Sequence, residues 1–223
     1  MADTTAAPPQ PPSSSSSGET DLEFYFDPAC PWTWLTSRWL VDAAPRRGRR
    51  VTWRSLSLWV LNEGKVPEAY AGRVRSALLA HRLFAALTEA GRNDLVGAVY
   101  TAIGTRVHDG GEDLTPHLVR EAAAAAGAGS WAAAIDDESW DAAVELSTKQ
   151  AVDLAGPDVG SPVLAHGSPR VAMFGPIVNP GPRGEDGARL LDLALAAAQV
   201  GGLFELKRGR REGPSLPAPP PGT

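Results

Sequence analysis

Length, composition and charge set the first limits on this chain, whose 223 residues suffice for one domain with an insertion. With 43% hydrophobic and 21% charged residues, the composition is that of an ordinary globular protein. A net charge of −5 argues against a general nucleic-acid-binding protein. No apolar run reaches the roughly 18 residues that a membrane span needs. Asp192 interrupts the best candidate, residues 190–200, so we expect neither a nucleic acid nor a membrane as partner.

The two ends of the chain have compositions that disfavour folding. Residues 1–20 are rich in Pro and Ser, and residues 209–223 are rich in Arg, Gly and Pro. Neither stretch can bury enough apolar surface to order itself, so we predict two disordered tails. The first stretch also lacks the basic start and apolar centre of a secretory signal, so we expect a cytoplasmic protein.

Hydrophobic patterning predicts a strand, a helix and a second strand in the first part of the folded region. Residues 22–26 are aromatic and alternating, which is typical of a strand. A helix is predicted from Pro31, a position where a first-turn proline is tolerated, to about residue 44. Residues 51–58 again favour a strand. These three elements form a βαβ unit.

The pattern then changes to a helical period, which continues from residue 67 to about residue 154. Strand signals return at 161–165 and 170–174, and a final helix is predicted at about 184–200. This order predicts an α/β protein with a thioredoxin-like fold (βαβ…ββα) and an inserted all-helical domain. The predicted boundaries are 21–64 and 156–208 for the two parts of the thioredoxin-like domain and 65–155 for the inserted helical domain.

The chain contains one cysteine, Cys30, which stands directly before the predicted first helix. One cysteine excludes an intramolecular disulfide and thiolate-rich metal sites, and the four histidines show no ligand spacing, so we predict no metal. The free N–H groups and dipole of a helix N-terminus favour an anion, so we expect the pKa of Cys30 to be lowered. The alternative is a buried, unreactive cysteine.

Four neighbours of this position are candidates for the same site. Thr33 lies one turn further along the helix, where its hydroxyl can donate to a thiolate but cannot resolve a mixed disulfide. Trp32 is either a platform for substrate or part of the core. Ser161-Pro162 stands near the start of the third predicted strand. A cis peptide there would leave the backbone of Ser161 free for an extended thiol substrate, and a trans proline opening the strand is the alternative.

Six short stretches along the folded region resemble one family. They are FYFDPACPW at 24–32, YTAIGTRVH at 100–108, GSP at 160–162, FGP at 174–176, PRGE at 182–185 and FELKR at 204–208. Together they resemble the DsbA-like branch of the thioredoxin superfamily, most closely the actinobacterial mycothiol-dependent nitroreductase family, over about residues 22–208. The resemblance implies a thiol-disulfide oxidoreductase with Cys30 as the nucleophile and with Pro31, Trp32 and Asn62 at the substrate pocket. From the residues alone, Asn62 belongs only to a turn.

The active-site motif departs from that family in one residue. Close relatives carry Cys-Pro-Trp-Cys, whereas residues 30–33 of this chain are Cys-Pro-Trp-Thr. The internal disulfide of the family therefore cannot form, and a single-cysteine cycle is expected instead. In that cycle Cys30 forms a mixed disulfide with a small thiol such as mycothiol, and a second thiol or a mycoredoxin-like partner releases it. Mycothiol would be a cosubstrate, with no bound cofactor, and nitroaromatic compounds or disulfides would be the substrates.

Two other functions remain open at this point. The first is a thiol transferase or isomerase resembling glutathione S-transferase kappa and 2-hydroxychromene-2-carboxylate isomerase, which share the inserted helical domain and activate a cosubstrate thiol with a serine at the position of Cys30. The second is a thioredoxin-like binding module without catalysis, which predicts an unreactive Cys30 of normal pKa. The sequence indicates no oligomeric state.

Overall fold

A four-stranded mixed sheet forms the centre of the protein. The structure is a computed structural model, and it describes residues 21–63 and 65–217. The strands are β1 (Asp21–Phe26), β2 (Arg50–Ser55), β3 (Val163–His166) and β4 (Val171–Phe174), in the spatial order β2-β1-β3-β4. β1 is parallel to β2 and antiparallel to β3, and β3 is antiparallel to β4. The parallel pair, joined by a helix, and the antiparallel hairpin confirm the predicted α/β fold class.

Helices account for most of the remaining described residues. They are α1 (Pro31–Ala43), α2 (Leu58–Leu61), α3 (Glu68–Glu89), α4 (Asn93–Gly104), α5 (Pro116–Ala125), α6 (Asp141–Ala155) and α7 (Gly184–Ala198). The helical period predicted between β2 and β3 is confirmed by α3 to α6. Leu83 and Leu87, one turn apart on α3, are both fully buried.

The two faces of β1 pack into different apolar clusters. Phe24 and Phe26 point into the larger cluster, where the Phe26 ring centroid lies 4.1 Å from that of Tyr100 on α4. Tyr25 points the other way and packs with Ala151 of α6. Because successive side chains of a strand alternate between its faces, helices cover the sheet on both sides.

The helical segment shares the larger core with the sheet through two tryptophans that lie against glycines. The indole of Trp53 on β2 contacts Gly97 of α4, and the indole of Trp34 on α1 contacts Gly104 at the end of α4. A Cβ at either glycine would overlap an indole, so these residues let α4 approach the sheet and α1 closely. The division of the chain into two domains stays a prediction.

The stretch 209–217 has no helix or strand, yet it contacts the folded region. The Asn179 side chain donates to the carbonyl of Gly213 at 2.9 Å and accepts from the N–H of Ser215 at 2.7 Å. Leu216 packs against the larger core. The disordered tail at 209–223 stays a prediction, of which residues 209–217 make the contacts just given, and residues 1–20 and 218–223 lie outside the described residues. Within the described part of the chain, no helix is long and apolar enough to cross a membrane.

Candidate active site

Cys30 occupies the junction between β1 and α1, as the sequence predicts. After β1 ends, the N–H of Cys30 donates to the carbonyl of Asp27 at 3.1 Å and closes a tight turn. Cys30 is the N-cap residue of α1, with extended backbone angles, and Pro31 is the first helical residue. The carbonyl of Cys30 accepts the N–H of Trp34 at 3.1 Å, which begins the helical hydrogen-bond series. The thiol is therefore held at the N-terminus of a 13-residue helix.

Thr33 and Ser161 lie beside this thiol. The hydroxyl oxygens of Thr33 and Ser161 are 2.8 Å apart, and the Ser161 hydroxyl also accepts the N–H of Asp27 at 3.0 Å. The thiol of Cys30 donates to the backbone carbonyl of Ser161 at 3.8 Å. The Ser161-Pro162 peptide is cis, which is one of the two alternatives that the sequence leaves open. The structure thus brings together four of the candidate residues from two distant parts of the sequence.

The pKa of Cys30 differs in direction from the prediction. Burial raises the pKa of the Cys30 thiol, and the Asp27 carboxylate raises it further. The side-chain hydroxyl and backbone N–H of Thr33 and the backbone N–H of Trp32 act in the opposite direction. The predicted lowering is therefore wrong. The helix start supplies the expected donors, but the turn covers most of the sulfur, and burial disfavours the charged form. The residue keeps part of its surface exposed, so small molecules can still reach it.

A buried carboxylate organises the turn. Asp27 is fully buried; one of its oxygens accepts the N–H of Ala29 at 2.7 Å, and the other accepts the N–H of Leu58 at 2.7 Å. The second oxygen also lies 3.4 Å from Nε2 of His81, whose Nδ1 is 2.9 Å from the Ser55 hydroxyl. A buried charge requires such partners. Asp27 therefore ties together the end of β1, the turn, α2 and α3.

An arginine and a histidine flank the same turn. Nε of Arg73 donates to the carbonyl of Ala29 at 3.1 Å, and its Nη2 lies 3.3 Å from Nδ1 of His108. Nε2 of His108 lies 2.9 Å from the carbonyl of Pro28 and so carries the ring proton. Burial lowers the pKa of His108 to about 4, so the ring is neutral and its Nδ1 accepts from Arg73. This pair places a guanidinium beside the residue that precedes Cys30.

The segment that supplies His108 has an unusual backbone. Residues Thr105–Asp109 form a π-helical turn directly after α4. The His108 ring stacks on Trp34 with centroids 5.8 Å apart, and the Trp34 indole N–H donates to Asp109 at 2.8 Å. π-Helical turns occur frequently at functional sites, because they displace side chains from the regular helical positions.

Sequence reasoning missed Asp27, His81, Arg73 and His108 as parts of this site. Asp27 and His108 do stand in two of the stretches that carry the family resemblance. That signal could have marked both residues. Nothing in the local pattern of α3 distinguishes Arg73 or His81 from other helical residues, since their partners are distant in sequence.

Two further candidates, Trp32 and Asn62, contact other parts of the chain. Trp32 is half-buried on the first turn of α1, and the guanidinium carbon of Arg210 lies 4.7 Å from its ring centroid. Asn62 follows α2, and its side chain donates to the carbonyl of Leu58 at 3.0 Å. Among the described residues, no hydrogen bond joins Asn62 to Cys30. Its role at the pocket therefore stays a prediction.

Two surface depressions lie elsewhere on the molecule. One of about 700 Å³ is lined by Trp53, Gly97 and other residues of β2, α4 and α5, and one of about 320 Å³ lies beside Arg106 and Glu112. Neither includes Cys30. Within the described residues, no cluster of His, Cys, Asp and Glu side chains could hold a metal ion.

Comparisons with known proteins identify a sequence relative and proteins of similar structure. The uncharacterized protein Rv2286c of Mycobacterium tuberculosis is 28% identical over 192 residues, 85% of this chain and 82% of that protein. The cytosolic disulfide reductase DsbM from Pseudomonas aeruginosa, solved with GSH, has a TM-score of 0.53 at 18% identity, covering 78% of this chain and 98% of that chain. The probable DsbA oxidoreductase SCO1869 from Streptomyces coelicolor has a TM-score of 0.51 at 16% identity, covering 89% and 99%.

The two structures show that the fold is the thioredoxin-like fold of DsbA proteins. The family model described as Rv2466c-like, mycothiol-dependent nitroreductase Rv2466c, matches residues 29–208. This match begins at the turn that holds Cys30 and ends after the last helix. The chain therefore belongs to the Rv2466c-like family of mycothiol-dependent nitroreductases and is a thiol oxidoreductase.

Proposed function

We propose that the protein is a cytoplasmic monothiol oxidoreductase, in which Cys30 is the nucleophile and a small thiol such as mycothiol is the cosubstrate. The observation that carries this proposal is the contact of the Cys30 thiol with the carbonyl of Ser161, with the Thr33 hydroxyl alongside, in a residue that is not fully buried. The family membership supports a small-thiol cosubstrate. The GSH complex of DsbM supports a tripeptide-sized thiol at a site of this fold.

The single cysteine leads to a three-step exchange with a disulfide substrate. The Cys30 thiolate attacks one sulfur, a new S–S bond forms, the substrate S–S bond breaks, and one substrate thiolate leaves. A small-thiol thiolate then attacks the Cys30 sulfur of the mixed disulfide, the second substrate thiol leaves, and Cys30 stays joined to the small thiol. A second small-thiol thiolate attacks the sulfur of that bound small thiol, forms the small-thiol disulfide and releases the Cys30 thiolate. Two small thiols are oxidised to one disulfide for each disulfide reduced. With a nitroaromatic substrate, the same two thiols would supply two electrons for reduction of nitro to nitroso, with release of one water.

Groups around the sulfur are arranged to stabilise the thiolate when it forms. The Thr33 hydroxyl and the N–H groups of Thr33 and Trp32 donate to it and oppose the effect of burial on its pKa. Burial lowers the pKa of Arg73, while the negative charges of Asp27 and of a Cys30 thiolate oppose this lowering, and the guanidinium is held at the turn by the carbonyl of Ala29. Because burial keeps the resting group a thiol, Cys30 becomes nucleophilic only as these donors take up the developing charge.

Substrate would lie along the edge formed by Pro31, Trp32, Ser161 and Pro162. The cis peptide before Pro162 presents the backbone of Ser161 toward the thiol. An extended thiol or disulfide can bind there by main-chain hydrogen bonds, as an added strand does. On the resemblance to the family alone, we also propose that Asn62 contacts the substrate. A mycoredoxin-like protein is proposed as the reductant that releases the last mixed disulfide.

Intact-mass measurement after incubation with mycothiol disulfide tests this function. We expect one mycothiol adduct on the wild-type chain and none on Cys30→Ser. Thr33→Cys is the informative second variant, because it places a second thiol where the Thr33 hydroxyl now lies. It should lose the adduct by forming an internal disulfide. A wild-type chain that forms no adduct, while Thr33→Cys forms the internal disulfide, would contradict a monothiol cycle.

One observation also favours the second candidate, a thiol transferase or isomerase. The position one turn after Cys30 holds a hydroxyl rather than a second thiol, so the site can stabilise a thiolate without resolving a disulfide. A thioether product formed with an electrophile, without net oxidation of the small thiol, would favour this function. Obligatory disulfide production would exclude it, and an unreactive Cys30 would favour a binding module.

A further inference from the structure

Residues 209–217, here called the C-terminal arm, lie beyond the stretch that the family model matches, residues 29–208. The arm is attached to the domain at two places. Asn179 makes two hydrogen bonds to its backbone, at Gly213 and Ser215, and Leu216 packs against the larger core. These contacts hold the arm against the same side of the molecule as the first turn of α1.

Arg210 of this arm contacts the candidate active site. Its guanidinium carbon lies 4.7 Å from the ring centroid of Trp32, which is cation–π contact distance. The backbone N–H of Trp32 is one of the donors that lower the pKa of Cys30. Because Trp32 is two residues after Cys30, its contact with Arg210 keeps the guanidinium within roughly 15 Å of the sulfur. Within the described residues, no carboxylate forms an ion pair with Arg210.

We propose that Arg210 determines the charge specificity of the site and favours substrates that carry a carboxylate or another anion close to the reacting sulfur or nitro group. The inference rests on the proposed function, because it concerns the substrate of the same thiol. A guanidinium that stacks on an aromatic ring still has its N–H groups free along the edge of the plane. These N–H groups can donate two parallel hydrogen bonds to a carboxylate. Arg73 adds positive charge on the other side of the turn.

The single cysteine allows a direct test with two chromogenic disulfides. The Cys30 thiolate attacks either probe, the S–S bond of the probe breaks, an aryl thiolate leaves, and Cys30 remains in a mixed disulfide. One probe, dithiobis-nitrobenzoate, carries carboxylates, and the other, dithiodipyridine, is neutral. The quantity measured is the ratio of the two second-order rate constants, anionic over neutral, at low ionic strength.

We expect Arg210→Ala to lower this ratio about three- to tenfold, as one charge at this distance would. Arg210→Glu should lower it further, since it reverses the sign of the charge. The rate constant for the neutral probe should change less than that for the anionic probe in both variants, because an effect of the charge on the Cys30 thiolate changes both rate constants alike and cancels in the ratio. Raising the salt concentration should reduce the wild-type ratio and leave the ratio of Arg210→Ala almost unchanged.

Two matched controls separate a local effect from a general one. Arg211→Ala removes the same charge from the adjacent, exposed residue, and it should leave the ratio unchanged. Asn179→Ala keeps Arg210 but removes both hydrogen bonds that hold the arm, so it should lower the ratio as Arg210→Ala does.

The possible failures of the two proposals can be told apart. The role of Arg210 would be overturned if the ratio of rate constants fell equally in Arg210→Ala and Arg211→Ala. It would also be overturned if the ratio stayed unchanged in Arg210→Ala and Arg210→Glu while the neutral probe still reacted. Either result would leave the monothiol function standing. A wild-type Cys30 that reacts with neither probe would overturn both.

Discussion

The hydroxyl of Thr33 lies 2.8 Å from the hydroxyl of Ser161, although 128 positions separate the two residues. Ser161 also accepts the N–H of Asp27, so one chain of hydrogen bonds links the end of β1, the residue before the cis-proline and the first turn of α1. This chain fixes Thr33 beside the sulfur, where its hydroxyl opposes the effect of burial on the pKa of Cys30. Thr33 is thus a donor to the thiolate.

Thr33→Val should therefore slow the reaction of Cys30 with iodoacetamide about five- to tenfold near neutral pH, because a hydrogen bond to a charged group is lost. The measurement is the alkylation rate as a function of pH. Thr36→Val is a matched control, since Thr36 is also buried on α1 but donates to the carbonyl of Pro176 at 2.9 Å. It should keep the wild-type rate. Equal rates in both variants would mean that Thr33 does not act on the thiolate.

The pH dependence of Cys30 itself follows from its burial. Burial raises the pKa of Cys30, so alkylation of the folded protein should reach half its maximal rate at a higher pH than alkylation of the same protein unfolded in urea. The raised pKa also means that the unfolded state releases this proton first. The folded protein should lose stability as pH rises past the unfolded pKa, and Cys30→Ala should lack that loss. A folded-state midpoint below the unfolded one would contradict the assignment.

Arg73 provides a test of charge at the turn. Arg73→Gln removes the guanidinium that Ala29 and His108 hold next to Cys30, so the thiolate loses a nearby positive charge. We expect alkylation about three- to tenfold slower near neutral pH. Arg75→Gln, an exposed change two residues further along α3, should have no effect. If both variants slowed alkylation equally, the effect would come from net charge rather than from the position of Arg73.

His108 should make the stability of the protein depend on acid pH. Its pKa is lowered from 6.5 to about 4, so between these values the unfolded chain binds a proton that the folded protein does not. Stability should therefore fall as pH decreases through this window, by up to about 3 kcal/mol from this group. Urea denaturation of His108→Gln should show a smaller fall than wild type. A His108→Gln curve that matches the wild-type curve would contradict the lowered pKa.

The elements around Cys30 could be predicted from the sequence because their signals are local. An aromatic alternating run, a proline in the first turn and a Ser-Pro step each limit the backbone over a few residues. The strand β1 and the helix α1 lie where these signals put them, and the Ser161-Pro162 peptide is cis, which is one of the two alternatives that the sequence leaves open. The second strand is predicted at 51–58 but ends at Ser55, because Ser57 caps the short helix α2 that begins at Leu58.

The partners of Cys30 could not be predicted in the same way. The contacts of Asp27 with His81 and of Arg73 with His108 join residues 54 and 35 positions apart, and helical periodicity says nothing about which polar side chains meet. The predicted direction of the Cys30 pKa shift is wrong for a related reason. A helix start is visible in the sequence, but the burial of the sulfur depends on segments that pack over it.

The close approach of α4 to α1 gives a test of packing behind the site. A Cβ at Gly104 would overlap the ring of Trp34, whose indole also contacts His108 and Asp109. We expect Gly104→Ala to destabilise the protein by about 1–3 kcal/mol through overpacking, despite the better helix propensity of alanine. Gly72→Ala on α3 is the matched control, because no atom lies within 4 Å of the position that its new methyl group would take. It should stabilise the protein by about 0.5–1 kcal/mol. Equal changes in the free energy of unfolding for the two variants would show that Trp34 does not require a glycine at this contact.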